Sequence, residues 1–547
     1  MPFIMRSILT GAGIGALVWL GLIEFLIANP ILATLLWVVV VFAVDFGPLV
    51  DTFPPWLQPF SRFFFGVRSK ESRMGVPPGS ITMVIPAHNE QRDIGRTVRS
   101  IKAQTVQAAE IIVIDDGSTD ETSVRAREAG ATVHYRQRKP DGSTQGKAAA
   151  QQYGLSIVKT EFVIFIDADT ELKPDALEKM MPYFNEKGTA AVGGYVLPYY
   201  VDNFWERLRQ FQYHYGFSVV KVGQNNTGAI FVSSGCFTSF RTDALRAAIR
   251  LHRRRLHRKN HPKPHTGFAK AFWDVLGTFG IKQPRMMHKI GLAEDQLYTW
   301  LLMEMSQIRK KSNKKRGKEF AQAHPPVGDI RFAKGSLCYV VDPDSAKQYR
   351  KQGYRWNAGY FQNLKDYGFN LFPMGFSFAF FTYFSLIYSL VGTALEVAGI
   401  IFLGHTVFEW YAHPIASHVL TFIGEWGFWP IANGVITFYV YEAAFVASAI
   451  TSFLLGIMLG FIYILIFVWA PVMYKAFWMR EDGRLWITAR AVFSFIVVHY
   501  FDVTIFYHAF YDEIIKRKRL DRWDKGHTEE SAPPVLPPST AARAAVA

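Results

Sequence analysis

Two carboxylates directly follow an apolar run and could hold a metal ion. The run Phe162–Ile166 is followed by Asp167 and, two positions further on, by Asp169. Apolar runs of this length are typical of fully buried strands in parallel sheets. Ligands bind at the carboxyl ends of such strands, and side chains at i and i+2 point the same way. Two such oxygen ligands suit Mg²⁺ or Mn²⁺ bound to a diphosphate, whereas the alternative is a surface turn.

Two earlier strand ends carry polar groups as well. The segment Val84–Glu90 ends a first predicted strand, and Ile112–Ser118 ends a second. Polar groups at neighbouring strand ends form a pocket along one edge of the sheet, so we assign Pro86, Glu90 and Asp115 to nucleotide binding. For Asp115, an Asx-turn that caps the next helix explains the sequence equally well.

Two basic residues are suited to a phosphate. Lys147 immediately precedes a predicted helix, Ala148–Val158, whose N-terminus also favours an anion. In the segment Gln352–Trp356, the guanidinium of Arg355 suits a diphosphate, and the indole of Trp356 offers a face to a sugar ring. The alternative for this pair is an interfacial anchor at lipid headgroups.

Two further segments suggest an acceptor site. Small residues around Gly235 and Cys236 permit the close approach of a bulky partner such as a sugar. A nucleophilic role for Cys236 lacks an activating partner, which favours a packing role. Glu294 and Asp295 open a predicted helix, either as ordinary helix-start carboxylates or with Asp295 as a general base.

The segments between these motifs alternate between strand and helix patterns. Ile81–Pro86 and Glu110–Asp116 read as strands, with a helix at Asp93–Gln104 between them. This alternation predicts a parallel sheet with helices on both faces. Further strands are predicted at Ala190–Leu197 and Ile230–Arg241. We therefore expect an α/β domain that brings the strand ends together.

Composition indicates a membrane protein. Half of the 547 residues are hydrophobic, and 46 are Phe. The net charge of +15 comes from residues that flank apolar segments, which the positive-inside rule and anionic lipids explain better than nucleic acid. No nucleic-acid-binding motif accompanies the charge. The two cysteines exclude a disulfide framework and indicate a reducing compartment for the folded domain.

Five apolar segments are candidate transmembrane helices, each close to or above the ~20 residues that a span needs. They are Ser7–Ala28, Ile31–Val50, Met374–Leu403, Ile431–Ala470 and Ala491–Tyr511. The last contains Asp502 and lies between two basic clusters, so a single crossing cannot place both clusters on the cytoplasmic side. Whether it crosses or re-enters stays open.

These patterns divide the chain into four parts. Residues 1–75 are predicted to form a transmembrane hairpin and an interfacial segment, and residues 76–360 a cytoplasmic domain with a basic insertion at about 247–290. Residues 361–512 are predicted to form interfacial and transmembrane helices. Residues 513–547 begin with a basic cluster and continue as a disordered tail. A second basic run, Arg309–Lys318, is typical of a charged surface loop or membrane-surface contact.

The motifs also resemble a known family when they are taken in order. They are Asp115-Asp116, Asp167-x-Asp169, Glu294-Asp295 and Gln352-x-x-Arg355-Trp356. This set, flanked by apolar segments, resembles the membrane-integrated family 2 glycosyltransferases, which include cellulose, chitin, hyaluronan and poly-N-acetylglucosamine synthases. The resemblance covers about residues 80–360 in motif and implies a GT-A-like, Rossmann-like mixed sheet with an α-helical transmembrane bundle and interfacial helices.

The resemblance also implies individual roles. Asp115 would contact uridine, and Asp167 and Asp169 would hold the nucleotide and metal, with Asp169 as the direct ligand. Asp295 would be the catalytic base, and Arg355 would bind the diphosphate. The acceptor would be bound by the remaining residues of the set, Gly235, Cys236, Glu294, Gln352 and Trp356.

The expected reaction is metal-dependent transfer of a sugar from a UDP-sugar, with inversion, to a growing β-linked polysaccharide. The pattern Arg-Trp-x-x-Gly-x-x-Gln at Arg355–Gln362 resembles that of glucan synthases and favours glucose. The alternative is a single transfer to a membrane lipid, as in ceramide glucosyltransferases, and a third reading is a scaffold without activity. Expected partners are the bilayer and either secretion subunits or a second copy, with the catalytic domain on the cytoplasmic side of a plasma or bacterial inner membrane.

Overall fold

The computed structural model describes a large α/β domain and several segments attached to it. The described residues are 80–259, 293–316, 327–387 except 369, and 501–516, with single positions at 75, 389–390, 417–418, 443 and 446. The predicted spans Ser7–Ala28 and Ile31–Val50 lie outside these residues, as do nearly all of Ile431–Ala470 and parts of the other two. Within the described residues, no helix is both long and apolar enough to cross a bilayer.

Strands and helices alternate through the first half of the domain. The strands are β1 (Ile81–Ala87), β2 (Glu110–Asp115), β3 (Thr132–Tyr135), β4 (Phe162–Ile166), β5 (Thr170–Leu172), β6 (Thr189–Pro198), β7 (Phe237–Arg241) and β8 (Asp329–Val340). The helices are α1 (Ile94–Lys102), α2 (Thr122–Glu128), α3 (Lys147–Ile157), α4 (Ala176–Met180), α5 (Phe204–Tyr215), α6 (Lys221–Thr227), α7 (Thr242–Lys259), α8 (Glu294–Lys315), α9 (Ala346–Asp366) and α10 (Phe376–Ile387). A π-helical turn, Gly216–Val220, joins α5 to α6, and residues 501–510 are also helical.

All eight strands belong to one mixed sheet in the order β3-β2-β1-β4-β7-β6-β8-β5. The first four strands of that order are parallel, as the apolar runs predict. Every residue of β1, β4 and β6 is buried, which is what a sheet covered on both faces requires. The predicted mixed sheet is therefore confirmed, and its core is continuous with the helices on either face.

Two predictions made from the strand and helix patterns are wrong, namely a wholly parallel sheet and a strand that begins at Ile230. β7 runs antiparallel to both β4 and β6, and β5 runs antiparallel to β8, so the sheet is not parallel throughout. The strand predicted at Ile230–Arg241 begins only at Phe237. Before Phe237, the backbone N–H of Ser233 donates to the side chain of Thr299 on α8 (Oγ1, 3.0 Å). This N–H therefore bonds to a helix residue and not to a neighbouring strand.

The basic segments also differ from their predictions. Residues 247–259 of the predicted insertion continue helix α7, and residues 260–292 lie outside the described part of the chain. The run Arg309–Lys318, predicted as a charged surface loop or a membrane-surface contact, is helical and not a loop as far as Lys315, where α8 ends. The domain boundary predicted at residue 360 falls inside α9, which connects the α/β domain to the following segment.

The sheet places the ends of β1, β2 and β4 at one edge. Ala87 is paired with Asp115 in register, and β4 continues alongside β1 to reach Asp167. Helix α3 packs closely on this part of the sheet, because a Cβ built at Gly154 would lie 2.5 Å from Val84 Cγ1. The absence of a side chain at Gly154 therefore sets how closely α3, and Lys147 at its start, approaches the strand ends.

We expect Gly154→Ala to destabilise the domain by about 1–3 kcal/mol, because an added methyl group overpacks the contact with Val84. Thermal unfolding in detergent measures the change. Gly216→Ala is the matched control, since a Cβ there meets nothing within 4 Å and the backbone is helical. Equal melting temperatures for the Gly154→Ala protein and the wild type would contradict the close packing.

Candidate active site

An ion pair joins helix α3 to the end of β4. Lys147, the first residue of α3, lies 2.6 Å from Asp167 Oδ1 and 3.4 Å from Glu294 Oε1. Burial opposes the charge on this lysine, but Asp167 and Glu294 outweigh burial and raise its pKa. Lys147 therefore carries a positive charge at neutral pH. The predicted phosphate-binding residue is held by carboxylates from two separate elements.

The start of α3 is fixed by an aspartate that the sequence reasoning did not single out. The backbone N–H of Gly146 donates to Asp116 Oδ2 (2.6 Å), and Arg136 donates to Asp116 Oδ1 (3.2 Å). Gly146 has a φ of +95°, a conformation that favours glycine. Asp116 at the end of β2 thus positions the turn that presents Lys147. The Asp115-Asp116 pair is the sequence feature from which this role of Asp116 could have been predicted.

The other predicted nucleotide-binding residues lie along the same edge, where their contacts hold loops together. Asp115 is 1% exposed, with Oδ1 accepting from Ser118 N–H (2.8 Å) and Oδ2 from the hydroxyl of Ser123. These contacts match the Asx-turn alternative for Asp115. The backbone N–H of the buried Glu90 donates to Thr122 Oγ1 (2.7 Å), and Pro86 is paired with Ile114 in β2. A contact between Asp115 and uridine stays a prediction.

Asp167 and Asp169 fit a metal that also binds a substrate. Both side chains are partly exposed at the end of β4. Within the described ranges, no group of three or more His, Cys, Asp or Glu side chains is placed to hold a metal ion. Mg²⁺ commonly uses one or two carboxylates together with substrate phosphates instead of a cage made by the protein alone. Two carboxylates that leave room for phosphate oxygens suit that arrangement.

The acidic pair at the start of α8 points into the same region. A Cβ built at Gly235 would lie 2.8 Å from Asp295 Oδ2, so the carboxylate rests against the small-residue segment. Asp295 Oδ1 accepts from the N–H of Gln296 (2.8 Å), which is a helix-start contact. Burial raises the pKa of both Glu294 and Asp295, although Lys147 partly opposes this. A desolvated carboxylate with a raised pKa is suited to accept a proton.

Arg355, which lies on helix α9, is within electrostatic reach of four carboxylates on other elements. Burial lowers the pKa of its guanidinium, and Glu294, Asp167, Asp295 and Asp169 all oppose that effect. The predicted donor, metal and base residues therefore lie within electrostatic reach of one arginine. This convergence is what the ordered motifs predicted.

Helices α8 and α9 pack against each other next to Arg355 and the acidic pair Glu294 and Asp295. A Cβ built at Gly359 would lie 2.6 Å from Ala293 Cβ, so the helices approach closely there. The side-chain amide of Asn363 donates to Ala293 O (3.1 Å) and to Gln296 Oε1 (2.8 Å). These contacts fix the distance between the acidic pair on α8 and Arg355 on α9.

The predicted acceptor residues on α9 are organised by a buried arginine. Arg209 donates to Gln352 Oε1 (2.6 Å), and its guanidinium lies 4.8 Å from the ring of Trp356 and 4.4 Å from that of Tyr349. Trp356 is 44% exposed, which leaves part of its surface available. Arg209 therefore holds both the glutamine and the tryptophan of the Gln-x-x-Arg-Trp motif.

Two aspartates connect this arginine to its surroundings. Asp342 accepts from Tyr213 Oη (2.8 Å) and lies 3.7 Å from Arg209 Nε, and burial raises its pKa to about 6. Asp502 in the helical segment 501–510 accepts from Tyr349 Oη (2.7 Å) and Gln212 Nε2 (2.8 Å). Asp502, the charged residue within the predicted span Ala491–Tyr511, thus bonds to the α/β domain.

Cys236 lies in the site without the properties of a nucleophile. The neighbouring Cys338 thiol and burial raise its pKa well above the usual value, so the thiol stays protonated. Its carbonyl accepts from the N–H of Asp167 (3.2 Å), which ties the small-residue segment to the end of β4. These contacts favour the packing role.

The sequence reasoning missed four residues that bear on the site, namely Asp116, Arg209, Lys221 and Asp342. Asp116 belongs to a motif that was recognised, but the other three lie in no motif. Their importance comes from contacts with elements distant in sequence, such as the 143-residue separation between Arg209 and Gln352. A single sequence carries no local signal for such pairs.

Comparison with known proteins identifies the class of this domain. Residues 82–248 match the model of Glycosyl transferase family 2, so the α/β domain is a family 2 glycosyltransferase domain, and its mixed sheet agrees with a GT-A-like, Rossmann-like fold. A 4,4'-diaponeurosporenoate glycosyltransferase of Staphylococcus aureus strain bovine RF122 is 41% identical over 120 residues. That match covers 21% of this chain and 32% of the relative's length.

Solved structures with low sequence identity were also found. A mannosyltransferase from Pyrobaculum calidifontis, in complex with GDP-Man and Mn²⁺, is 14% identical, with a TM-score of 0.40 over 76% of this chain and 97% of its own. Glucosyl-3-phosphoglycerate synthase from Mycobacterium tuberculosis, with Mn²⁺ and UDP, is 17% identical, with a TM-score of 0.30 over 53% of this chain and 80% of its own. Another structure of that synthase contains Mg²⁺ and UDP.

We expect Gly235→Ala to lower turnover about 10- to 100-fold, because the new methyl group displaces the Asp295 carboxylate and small misplacements of this kind are costly. UDP affinity should stay close to that of the wild type. Initial rates of UDP release and equilibrium UDP binding measure the two quantities.

Gly193→Ala is the control for this substitution, since a Cβ there has no neighbour closer than 3.6 Å. Normal turnover in the Gly235→Ala enzyme would contradict a role for the contact between Gly235 and Asp295.

Proposed function

We propose that the protein transfers a sugar, with inversion, from a UDP-sugar to an acceptor in a metal-dependent reaction. The observation that carries the proposal is the convergence of four carboxylates, Lys147 and Arg355 at one edge of the sheet. The family 2 match supplies the reaction class. A site with this charge pattern suits a nucleoside diphosphate and a hydroxyl nucleophile.

The donor diphosphate would lie between the basic residues and the end of β4. Arg355 and Lys147 would donate hydrogen bonds to its oxygens and offset the charge that grows on the leaving group. Asp169 and Asp167 would hold Mg²⁺ or Mn²⁺, which when bound supplies further charge neutralisation at the diphosphate. Lys147 is already ion-paired with Asp167, so donor binding would redistribute an existing contact.

Asp295 would act as the general base. A sugar hydroxyl is a poor nucleophile until a carboxylate accepts its proton during attack. The raised pKa of Asp295, caused by burial, moves this carboxylate towards the range in which a base works well at neutral pH. Attack opposite an α-linked leaving group gives a β-linkage. Holding donor and acceptor together supplies a large part of the rate.

We further propose the end of a β-linked polysaccharide as the acceptor, extended processively. The support is the Gln-x-x-Arg-Trp motif, whose partly exposed Trp356 offers a stacking surface beside Arg355. The second candidate acceptor is a membrane lipid. It is favoured by the Staphylococcus aureus relatives, whose name specifies diaponeurosporenoate as the acceptor.

We also propose that the protein is integral to the plasma or bacterial inner membrane, with the α/β domain in the cytoplasm. The support is the set of apolar segments flanked by basic residues. Extrusion of a growing chain would then occur beside the site of synthesis, with accessory subunits or a second copy as possible partners.

Asp295→Asn should lower the rate of transfer by about 10²- to 10⁴-fold, the range over which general base catalysis contributes. UDP affinity should change little, because the substitution keeps the shape of the side chain and leaves Arg355 and Lys147 in place. Single-turnover transfer and UDP binding measure the two effects. Full activity in this variant would remove Asp295 from the mechanism.

Asp169→Ala should weaken Mn²⁺-dependent UDP binding about 10- to 100-fold, since one lost charged contact costs about 1.5–3 kcal/mol. Titration calorimetry with and without Mn²⁺ measures the effect. Asp175→Ala is the matched control, because Asp175 forms a surface pair with Lys179 (2.7 Å). Unaltered Mn²⁺-dependent affinity in Asp169→Ala would contradict the metal assignment.

Purified protein incubated with a panel of UDP-sugars separates the two acceptor classes. Long products that grow from a carbohydrate primer support polysaccharide synthesis. A single sugar on an extracted lipid, with no long product, supports the lipid acceptor and overturns processive synthesis.

A further inference from the structure

The Nζ atom of Lys221 is buried within electrostatic reach of the proposed base, and no residue that the structure describes accepts a hydrogen bond from it. Lys221 is the first residue of α6, immediately after the π-helical turn Gly216–Val220. Its Nζ atom is enclosed and has no hydrogen-bond partner within the described part of the chain. The groups that act on its charge are Asp295 and Cys236. The ammonium therefore lies within electrostatic reach of Asp295 and of Cys236 in the small-residue segment.

An enclosed ammonium without a partner is unfavourable in a folded protein. Buried polar groups are nearly always hydrogen-bonded, and an unpaired charge costs several kcal/mol in ordinary interiors. The other cations of the site differ in this respect, since Lys147 is paired with two carboxylates. Donors kept unpaired and aimed at a reaction centre are the arrangement that stabilises charge developing during a reaction.

We propose that Lys221 is a catalytic residue that donates a hydrogen bond to the acceptor oxygen from which Asp295 takes the proton. The inference rests on the proposed function. In the step, the acceptor O–H proton moves to Asp295 as the oxygen bonds to the anomeric carbon. The bond from that carbon to the diphosphate breaks, and its electron pair leaves with the nucleoside diphosphate. Lys221 keeps its own proton throughout and stabilises the negative charge on the attacking oxygen.

The position of Lys221 fits this role. Asp295 Oδ2 rests against Gly235, and Cys236 follows directly, so the two groups within electrostatic reach of the Lys221 ammonium adjoin each other. The π-helical turn before Lys221 is consistent with this, because such turns are frequent at functional sites. Burial lowers the pKa of Lys221 from 10.5 to about 8, with Asp295 and Cys236 opposing the shift. The side chain is therefore still protonated at pH 7.

The test compares Lys221→Met and Lys221→Arg with the wild-type, full-length protein in detergent. Lys221→Met should lower kcat about 10²- to 10³-fold, as removal of a transition-state donor does elsewhere, with UDP affinity unchanged. It should also raise the unfolding temperature, most clearly below about pH 8, where the wild type buries a charged group. The gain should shrink as the pH approaches 10.5, since the lysine is then neutral in both states.

The pH profile provides a readout that a purely structural role would not change. Wild-type kcat should fall above about pH 8 as Lys221 loses its proton. Lys221→Arg should retain part of the activity and move this basic limb upwards, because arginine stays charged. Lys310→Met is the control, since Lys310 is 46% exposed on α8 and lies 3.9 Å from Asp329.

Activity of Lys221→Met within threefold of wild type would overturn the proposal, as would a basic limb unchanged in Lys221→Arg. Loss of activity together with a lowered unfolding temperature would also overturn it, because the lysine would then be structural. A wild-type protein that turns over no UDP-sugar would instead contradict the proposed function itself.

Discussion

The site depends on the electrostatic interaction of four carboxylates with two basic side chains at the end of β4. Asp167 and Asp169 are partly exposed, whereas Glu294, on a separate element, is buried and would be costly to enclose alone. Lys147 and Arg355, from two further helices, offset that charge. Lys147 and Arg355 offset only part of the charge of four carboxylates, so a divalent cation is a further group that the proposed site would suit.

Close packing of helices sets the distances within that balance. Gly154 lets α3 approach the sheet and carry Lys147, and Gly359 lets α9 approach α8 and carry Arg355. The Gln-x-x-Arg-Trp motif is organised differently, because Arg209 contacts Gln352 through a hydrogen bond and Trp356 through its ring. Asp502 extends this network to the helical segment 501–510.

Much of the donor side could be predicted from sequence because its signals are local. The runs in β1, β2 and β4 are continuous and apolar, and the carboxylates follow them directly. The antiparallel β7 could not be predicted, since alternation of strands and helices gives no direction for a strand that returns beside β4. Arg209 and Asp342 were missed because their roles arise only from contacts between residues distant in sequence. For Asp115, the sequence fits both a nucleotide contact and an Asx-turn, and the observed contacts match the Asx-turn.

The most direct test of the proposed donor site is a structure of the wild-type protein with UDP and Mn²⁺, in which manganese is located by anomalous scattering. The account predicts one manganese peak at Asp169, with the diphosphate between that peak, Lys147 and Arg355. Manganese and nucleotide bound together elsewhere, away from the carboxyl end of β4, would contradict it.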